Sequence, residues 1–216
     1  MVFGEKMSRE YFKSDAPTRD RILAAAEKEF AEKGFFGARV DEIAHSADIN
    51  KRMIYAHFGS KEGLYSSALL EIYRRLADCE RRFIKDEEDP AVSIRDIVRI
   101  SFDFLVENPA FVRMLMWENL NNGASVPSKD LVELKNPGVE YMRSQIRRGK
   151  ELGVFRRDAD ETQTVLSLMS FCFSYFSNIH TMSVIFGRDL ADKNEVSARA
   201  EYVADIILKY LAVDEK

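Results

Sequence analysis

The chain has 216 residues, of which 46% are hydrophobic, and a formal net charge of -4 at pH 7. This length can bury the core of one domain or two small ones. The acidic balance argues against a protein that coats nucleic acid regardless of sequence, because such binding depends on neutralising phosphates with Lys and Arg. Cys79 and Cys172 form no CxxC motif, which argues against a disulfide framework or a structural zinc site.

Residues 1–16 are the first predicted segment, a flexible N-terminal arm. Charged residues such as Lys6 and Arg9 interrupt its apolar positions. The arm therefore lacks the continuous apolar run of a secretory signal peptide, and we predict that the protein is cytoplasmic.

Helix start and stop signals follow along the rest of the chain, and no alternating strand pattern of useful length occurs. We therefore predict an all-α fold. Thr18 precedes the first helical run, which should end near Gly34. Residues 119–130 are the clearest loop, because they combine Asn, Gly, Ser and Pro.

Three further helix starts are predicted from capping residues. Asp89-Pro90 and Asn108-Pro109 each place an N-cap residue before a proline at the first helical position. Asp160, with Gln163 three residues later, resembles a capping box, and Gly153 closes the preceding helix.

A helix-turn-helix is predicted between residues 40 and 58. A short helix from Val40 to about Ala47 is followed by a three-residue turn and a second helix from Lys51 to about Phe58. Ile54 and Phe58 are four residues apart and give the second helix a buried stripe. Asn50 is the expected N-cap of that helix.

The outward face of the second helix is suited to the major groove of DNA. Four basic side chains, and no acidic one, occur within residues 49–61: Lys51, Arg52, His57 and Lys61. At about 100° per residue, Arg52, Met53 and Ala56 face away from the buried stripe. Arg52 can donate a bidentate pair to guanine, Met53 can contact a thymine methyl, and the small Ala56 permits close approach.

Phosphate contacts are expected around this face. Lys51, Tyr55 and His57 lie at its flanks. Ser60 should cap the next helix, whose free N–H groups form an anion site together with Lys61.

An ordinary solvated helix face is the competing interpretation of these charges. Residues 1–60 contain ten Lys and Arg and ten Asp and Glu, so the region is not basic as a whole. The combination of turn, buried stripe and capped anion site favours DNA binding.

The N-terminal segment resembles that of the tetracycline-repressor-like (TetR) transcriptional regulators, which often reads TRxxILxAAxxxFxxxGFxxxxVxxIAxxAxVxxxxxYxxFxSKExL. The matching residues are Thr18, Arg19, Ile22, Leu23, Ala25, Ala26, Phe30, Gly34, Phe35, Val40, Ile43, Ala44, Ala47, Ile49, Tyr55, Phe58, Ser60, Lys61, Glu62 and Leu64. The resemblance covers about fifty residues and implies a double-stranded DNA operator as partner. The predicted DNA-binding residues are Arg39, Asn50, Lys51, Arg52, Met53, Tyr55, Ala56, His57 and Lys61.

Three positions depart from the family pattern. Arg39 stands where a Ser or Thr cap is usual, and Asp48 stands where a turn glycine is usual. Asp tolerates the left-handed conformation better than most residues, so the motif should persist. Arg52 replaces a small residue, so the base preference of relatives does not carry over.

The resemblance also implies a division into a helix-turn-helix domain, residues 17–60, and a helical ligand-sensing and dimerisation domain, residues 61–216. A family dimer interface would use helices at about 160–187 and 194–212, and we expect Ile207 in it. An unknown small-molecule effector is implied, and its pocket is predicted from aromatic, Met and Asn side chains: Phe102, Phe111, Met114, Trp117, Phe171, Tyr175 and Asn178.

Residues 165–186 form the most apolar segment and raise a membrane alternative, because their length could cross a bilayer. Five serines together with Asn178, His180 and Thr181 argue against it. We expect a helix buried on every side, against a second subunit, with a monomeric core helix as the alternative.

Enzymatic chemistry has little support in the sequence. Glu42 and His45 form a Glu-x-x-His pair, but a di-metal site would need two such motifs. We predict no catalytic residues, metal or cofactor. The predicted function is a sequence-specific DNA-binding regulator, a repressor released by a small molecule; the alternative is a helical adaptor or enzyme with a vestigial motif.

Overall fold

The computed structural model describes residues 17–81 and 89–213, so the predicted arm at residues 1–16 lies outside the described residues. Within those ranges the chain forms helices and no strand, which confirms the predicted all-α fold. The helices are α1 Thr18–Gly37, α2 Val40–Ser46, α3 Lys51–Phe58, α4 Lys61–Arg81, α5 Pro90–Glu107, α6 Pro109–Leu120, α7 Ser128–Glu151, α8 Glu161–Ser177, α9 Ile179–Phe186 and α10 Lys193–Leu211.

The chain divides into two compact units. Of the described residues, the N-terminal unit contains those up to Leu76 together with Glu107–Leu134, and the C-terminal unit contains those from Ala77 to Val106 and from Lys135 onward. The boundary between these units does not fall at the predicted position after residue 60. Helix α6 packs against α1, and the first part of α4 also belongs to the N-terminal unit. The functional division into 17–60 and 61–216 stays a prediction.

Helix α1 is the centre of the N-terminal unit, since it packs against α6 and α2. Its fully buried Phe30 ring meets the ring of Tyr65 edge-on at 4.8 Å. The helix breaks at Gly34, which has a φ of 67°, so the predicted end near this residue is confirmed, with a further turn to Gly37. A Cβ on Gly34 would lie 2.8 Å from Cδ2 of Trp117, so the ring of Trp117 requires glycine here.

The three helix starts predicted from capping residues are confirmed, although one of the predicted caps does not form. The Asp89 carboxylate accepts the N–H of Ala91 at 2.9 Å, and that of Asp160 accepts the N–H of Gln163 at 2.9 Å. Asn108 precedes α6 but makes no capping hydrogen bond with its side chain, because its backbone has φ -125° and ψ 62°, outside the extended region usual for a cap. The predicted loop spans 121–127, between α6 and α7.

Two expectations for the C-terminal unit are wrong. The predicted helix at 160–187 breaks at Asn178, whose side-chain amide donates to the carbonyl of Ser174 and the hydroxyl of Ser177 and thereby competes with helix propagation. Within the single chain the segment is not buried on every side, since Val184 is 82% exposed, so its burial against a second subunit stays a prediction. Ile207 is 3% exposed in the single chain, so it is a core residue and does not line a subunit interface.

Candidate DNA-binding surface

The helix-turn-helix forms as predicted, from α2, a turn and α3. Asp48 occupies the turn with a φ of 52°, the left-handed conformation expected for it. The side chain of Asn50 accepts the N–H of Arg52 at 2.9 Å and so caps α3. These local contacts fix where α3 begins and which of its faces points inward.

The inward face of α3 is held by apolar contacts. Ile54 is fully buried, as is Ile43 of α2, and Ala47 is 3% exposed. Phe58 is half-buried, and the guanidinium of Arg19 lies 5.6 Å from its ring centre. Burial of this stripe leaves the opposite face of α3 free.

The opposite face of α3 presents the side chains predicted to meet DNA. Arg52, Met53 and Ala56 are exposed, with Tyr55 and His57 exposed beside them. Met53 is 40% exposed although it is apolar. A protruding helix with one Arg, one Met and one Ala on its outer face matches the dimensions and chemistry of the major groove.

Lys51 lies at the edge of this face and forms an ion pair. Its Nζ is 2.8 Å from Oδ1 of Asp41. The hydrogen bond to Asp41 raises the pKa of Lys51, so the ammonium stays charged at neutral pH. Because both side chains are largely exposed, Lys51 can exchange this carboxylate for a phosphate at little cost.

The start of α4 has the form of an anion site. The hydroxyl of Ser60 accepts the N–H of Gly63 at 3.1 Å, which confirms the predicted cap. The Nζ of Lys61 lies 4.8 Å from the ring centre of Phe35, which holds the ammonium beside the first turn of α4.

Arg39 precedes α2 and is exposed, but its side chain makes no capping hydrogen bond. The carboxylate of Glu29 on α1 accepts the Arg39 N–H at 3.1 Å instead. At the other end of α2, the guanidinium of Arg21 donates to the carbonyl oxygens of Ala47 and Asp48. Sequence reasoning missed Glu29 and Arg21, because local patterns do not reveal partners 10 and 26 residues away.

The predicted pocket residues fall in both units. Phe111, Met114 and Trp117 belong to the N-terminal unit, where Phe111 stacks edge-on with Tyr73 at 5.4 Å. The predicted residues of the C-terminal unit are Phe102, Phe171, Tyr175 and Asn178. The rings of Phe102 and Tyr175 are 5.7 Å apart, and the Tyr175 hydroxyl donates to the carbonyl of Leu190. Their role in ligand binding stays a prediction.

A groove of about 350 Å³ lies in the N-terminal unit, on the surface of α1. It is lined by Asp20, Leu23, Ala24, Glu27, Lys28, Ala31, Glu32, Glu71, Arg75, Pro109, Ala110 and Arg113. None of the predicted pocket residues is among them. Across the groove the Arg75 guanidinium pairs with Glu27 at 2.7 Å.

Comparison with known proteins assigns both parts of the chain to one family. Residues 22–68 match the sequence model for bacterial regulatory proteins of the tetR family, and residues 90–207 match that for the tetracyclin repressor-like C-terminal domain. The chain belongs to the TetR family of transcriptional regulators. The predicted family and the predicted function of DNA-binding regulation are thereby confirmed.

Individual TetR relatives agree with this assignment. The HTH-type transcriptional repressor NicS of Pseudomonas putida is 38% identical over 195 residues, which is 90% of this chain and 92% of that protein. The HTH-type transcriptional repressor SCO4008 of Streptomyces coelicolor is 32% identical over 63% of this chain and 67% of that protein. The crystal structure of the TetR regulator PfmR from Thermus thermophilus shares the fold, with a TM-score of 0.68 at 24% identity, covering 93% of this chain and all of that one.

Among the described helices, none is both long enough and apolar enough to pass through a bilayer. In the same part of the chain, no group of three His, Cys, Asp or Glu side chains is arranged to hold a metal ion.

Proposed function

We propose that this protein is a homodimeric repressor that binds a pseudo-palindromic DNA operator and leaves it when a small molecule binds within residues 61–216. Repression is supported by the names of two relatives, both transcriptional repressors. We place the protein in the cytoplasm, where bacterial operators lie, and assign it a binding function without a catalytic step.

The exposed outer face of α3 carries this proposal. Ile54 is fully buried on the inner face, so Arg52, Met53 and Ala56 point outward together. We assign base contacts to these three residues. We assign phosphate contacts to the predicted residues around them: Arg39, Asn50, Lys51, Tyr55, His57 and Lys61.

A second copy of the chain is the partner we propose for the exposed apolar side of α8. Leu166 is 51% exposed and Met169 is 42% exposed, three residues apart on one side of the helix. Val165 and Leu168, on the adjacent face, are buried within the single chain. A helix with an apolar residue pair facing solvent gains stability by packing against the same pair in a second subunit.

Helix α4 is the element we propose to couple ligand and DNA. Its first turn carries Lys61, and the helix runs to Arg81, with residues from Ala77 onward in the C-terminal unit. Two recognition helices must lie roughly 34–36 Å apart to enter successive turns of the major groove. A ligand that tilts α4 would change this spacing and weaken binding, provided that it binds the released form more tightly.

Footprinting on the DNA upstream of its own coding region tests the proposal. We expect two protected half-sites with approximate two-fold symmetry, and loss of protection when an inducer from a small-molecule screen is added. Protection of a single asymmetric site would contradict the dimer, and an inducer that binds the protein without releasing DNA would contradict the coupling.

A further inference from the structure

Helix α1 contacts both ends of α2, although it lies outside the helix-turn-helix. At the start of α2, Oε1 of Glu29 accepts the N–H of Arg39 at 3.1 Å and the Nζ of Lys33 at 2.9 Å. Glu29 is only 9% exposed, so this carboxylate is an interior group with two specific donors.

At the end of α2, Arg21 makes a matching set of contacts. Its Nη2 donates to the carbonyl of Ala47 at 2.5 Å and to that of Asp48 at 2.7 Å. Its Nε donates to the same Ala47 oxygen at 3.2 Å. Carbonyl groups at a helix end have no partner within the helix, so these bonds satisfy acceptors that would otherwise need water.

The charges of both residues match the dipole of α2. The negative Glu29 lies at the positive N-terminal end, and the positive Arg21 lies at the negative C-terminal end. Helix α2 has seven residues, fewer than an isolated helix needs to be stable in water. Its orientation therefore depends on contacts that α1 supplies.

The two contacts fall where the chain departs from its family pattern. Arg39 provides no side-chain cap at the start of α2, and Glu29 binds the N–H of that residue. Asp48 holds a left-handed turn without being glycine, at a φ of 52°, and Arg21 binds its carbonyl. Glu29 and Arg21 thus stabilise the two ends of α2 at the positions where the motif departs from its family pattern.

We infer that Arg21 and Glu29 are positioning residues for operator recognition, which fix the angle at which α3 leaves the turn by holding both ends of α2. The inference rests on the proposed reading of bases by α3. The guanidinium of Arg21 is bound to backbone carbonyls of the turn, so its effect on binding should be confined to the operator, where the geometry of α3 matters.

Arg21→Met tests this inference, with Lys28→Met as its matched control, because Lys28 is an exposed cation on the same helix. Binding is measured to the footprinted upstream DNA and to a scrambled duplex of equal length, over a range of salt concentrations. Circular dichroism at the assay temperature checks that each variant is folded. We expect Arg21→Met to lower operator affinity about tenfold, with unchanged scrambled-DNA affinity and salt slope, and Lys28→Met to change neither affinity.

Two results would overturn the inference. Equal losses on both DNAs, with a salt slope smaller by about one, would make Arg21 a phosphate contact. Full operator affinity in a folded Arg21→Met protein would mean that Arg21 contributes to stability and not to operator recognition.

Two further variants refine the test. Arg21→Lys keeps the positive charge but can donate fewer hydrogen bonds to the carbonyls, so it should recover part of the operator affinity that Arg21→Met loses. Should Arg21→Met fail to fold, Glu29→Gln replaces it, with an expected loss of about threefold on the operator only; no loss there would equally overturn the inference. Absence of operator preference in the unaltered protein would instead contradict the proposed function.

Discussion

Arg52 and Lys61 lie on one surface but should contact different parts of the DNA. Arg52 projects from the exposed face of α3, whereas Lys61 lies at the capped start of α4. We expect Arg52→Ala to cost about 1–3 kcal/mol on the operator and to relax base choice. Lys61→Ala should weaken all DNA similarly and reduce the salt slope by about one, because it removes a phosphate contact.

Titration of both variants against the operator and single-base mutants of it, at several salt concentrations, separates these roles. Lys28→Ala is a suitable control, since it removes an exposed cation of α1 that has no assigned DNA contact. If Lys61→Ala altered base preference while Arg52→Ala did not, the two assignments would be reversed.

Gly34 and Gly123 offer a matched pair for measuring how tightly Trp117 packs. Both glycines have a positive φ, 67° at Gly34 and 70° at Gly123. A Cβ added at Gly34 would lie 2.8 Å from the Trp117 ring, whereas a Cβ added at Gly123 would lie in open space. We expect Gly123→Ala to cost about 1 kcal/mol from backbone strain, and Gly34→Ala to cost at least 1 kcal/mol more through overpacking. Urea unfolding, followed by the fluorescence emission of Trp117, the single tryptophan, measures the loss of unfolding free energy in each variant. Equal losses in the two variants would contradict the close packing of Trp117 against Gly34.

At the scale of elements, Glu29 should make the stability of α2 depend on pH. Burial alone would raise the pKa of Glu29, but hydrogen bonds from Lys33 and from the Arg39 N–H outweigh it and hold the pKa below its ordinary value of 4.5. The folded state thus binds this proton more weakly than the unfolded state. The resulting stability is fully present above pH 4.5 and is lost as the pH falls through the lower folded value.

Glu29→Gln should therefore be less stable than the unaltered protein at pH 7, with a difference that shrinks as the pH falls below 4.5. Urea unfolding from pH 7 to pH 3 measures this difference. Glu32→Gln removes an exposed carboxylate from the same helix and should change stability by no more than about 0.5 kcal/mol. A difference for Glu29→Gln that stayed constant with pH would contradict the assigned hydrogen bonds.

Elements set by neighbouring residues could be predicted from the sequence. The caps at Asn50, Ser60 and Asp160 all form, because each involves residues two or three positions apart. The helix break at Asn178 could not be predicted, because the apolar pattern of the sequence continues through this residue. The pattern contains no information about the side-chain amide of Asn178, which donates to a carbonyl of the preceding turn. The contacts of Glu29 and Arg21 depend on tertiary packing, which no local pattern contains.

At the scale of the whole molecule, the exposed side of α8 is the place to test dimerisation. We expect Met169→Glu to give a folded monomer with much weaker operator binding, because a charge would enter the proposed subunit interface and the two half-sites would no longer be read together. Ile207→Glu should instead unfold the chain, since Ile207 is already 3% exposed in the single chain and a charge would be buried there. Sedimentation velocity and circular dichroism distinguish these outcomes; a dimeric Met169→Glu with normal binding would place the interface elsewhere.

Sequence-specific DNA binding is tested by comparing the affinity of the protein for two duplexes. The dissociation constant of the unaltered protein is determined for the duplex upstream of its own coding region and for a scrambled duplex of equal composition, both near 150 mM salt, a roughly physiological level. We predict that the protein binds its own upstream DNA at least about a thousandfold more tightly. Equal affinity for the two duplexes would contradict the account.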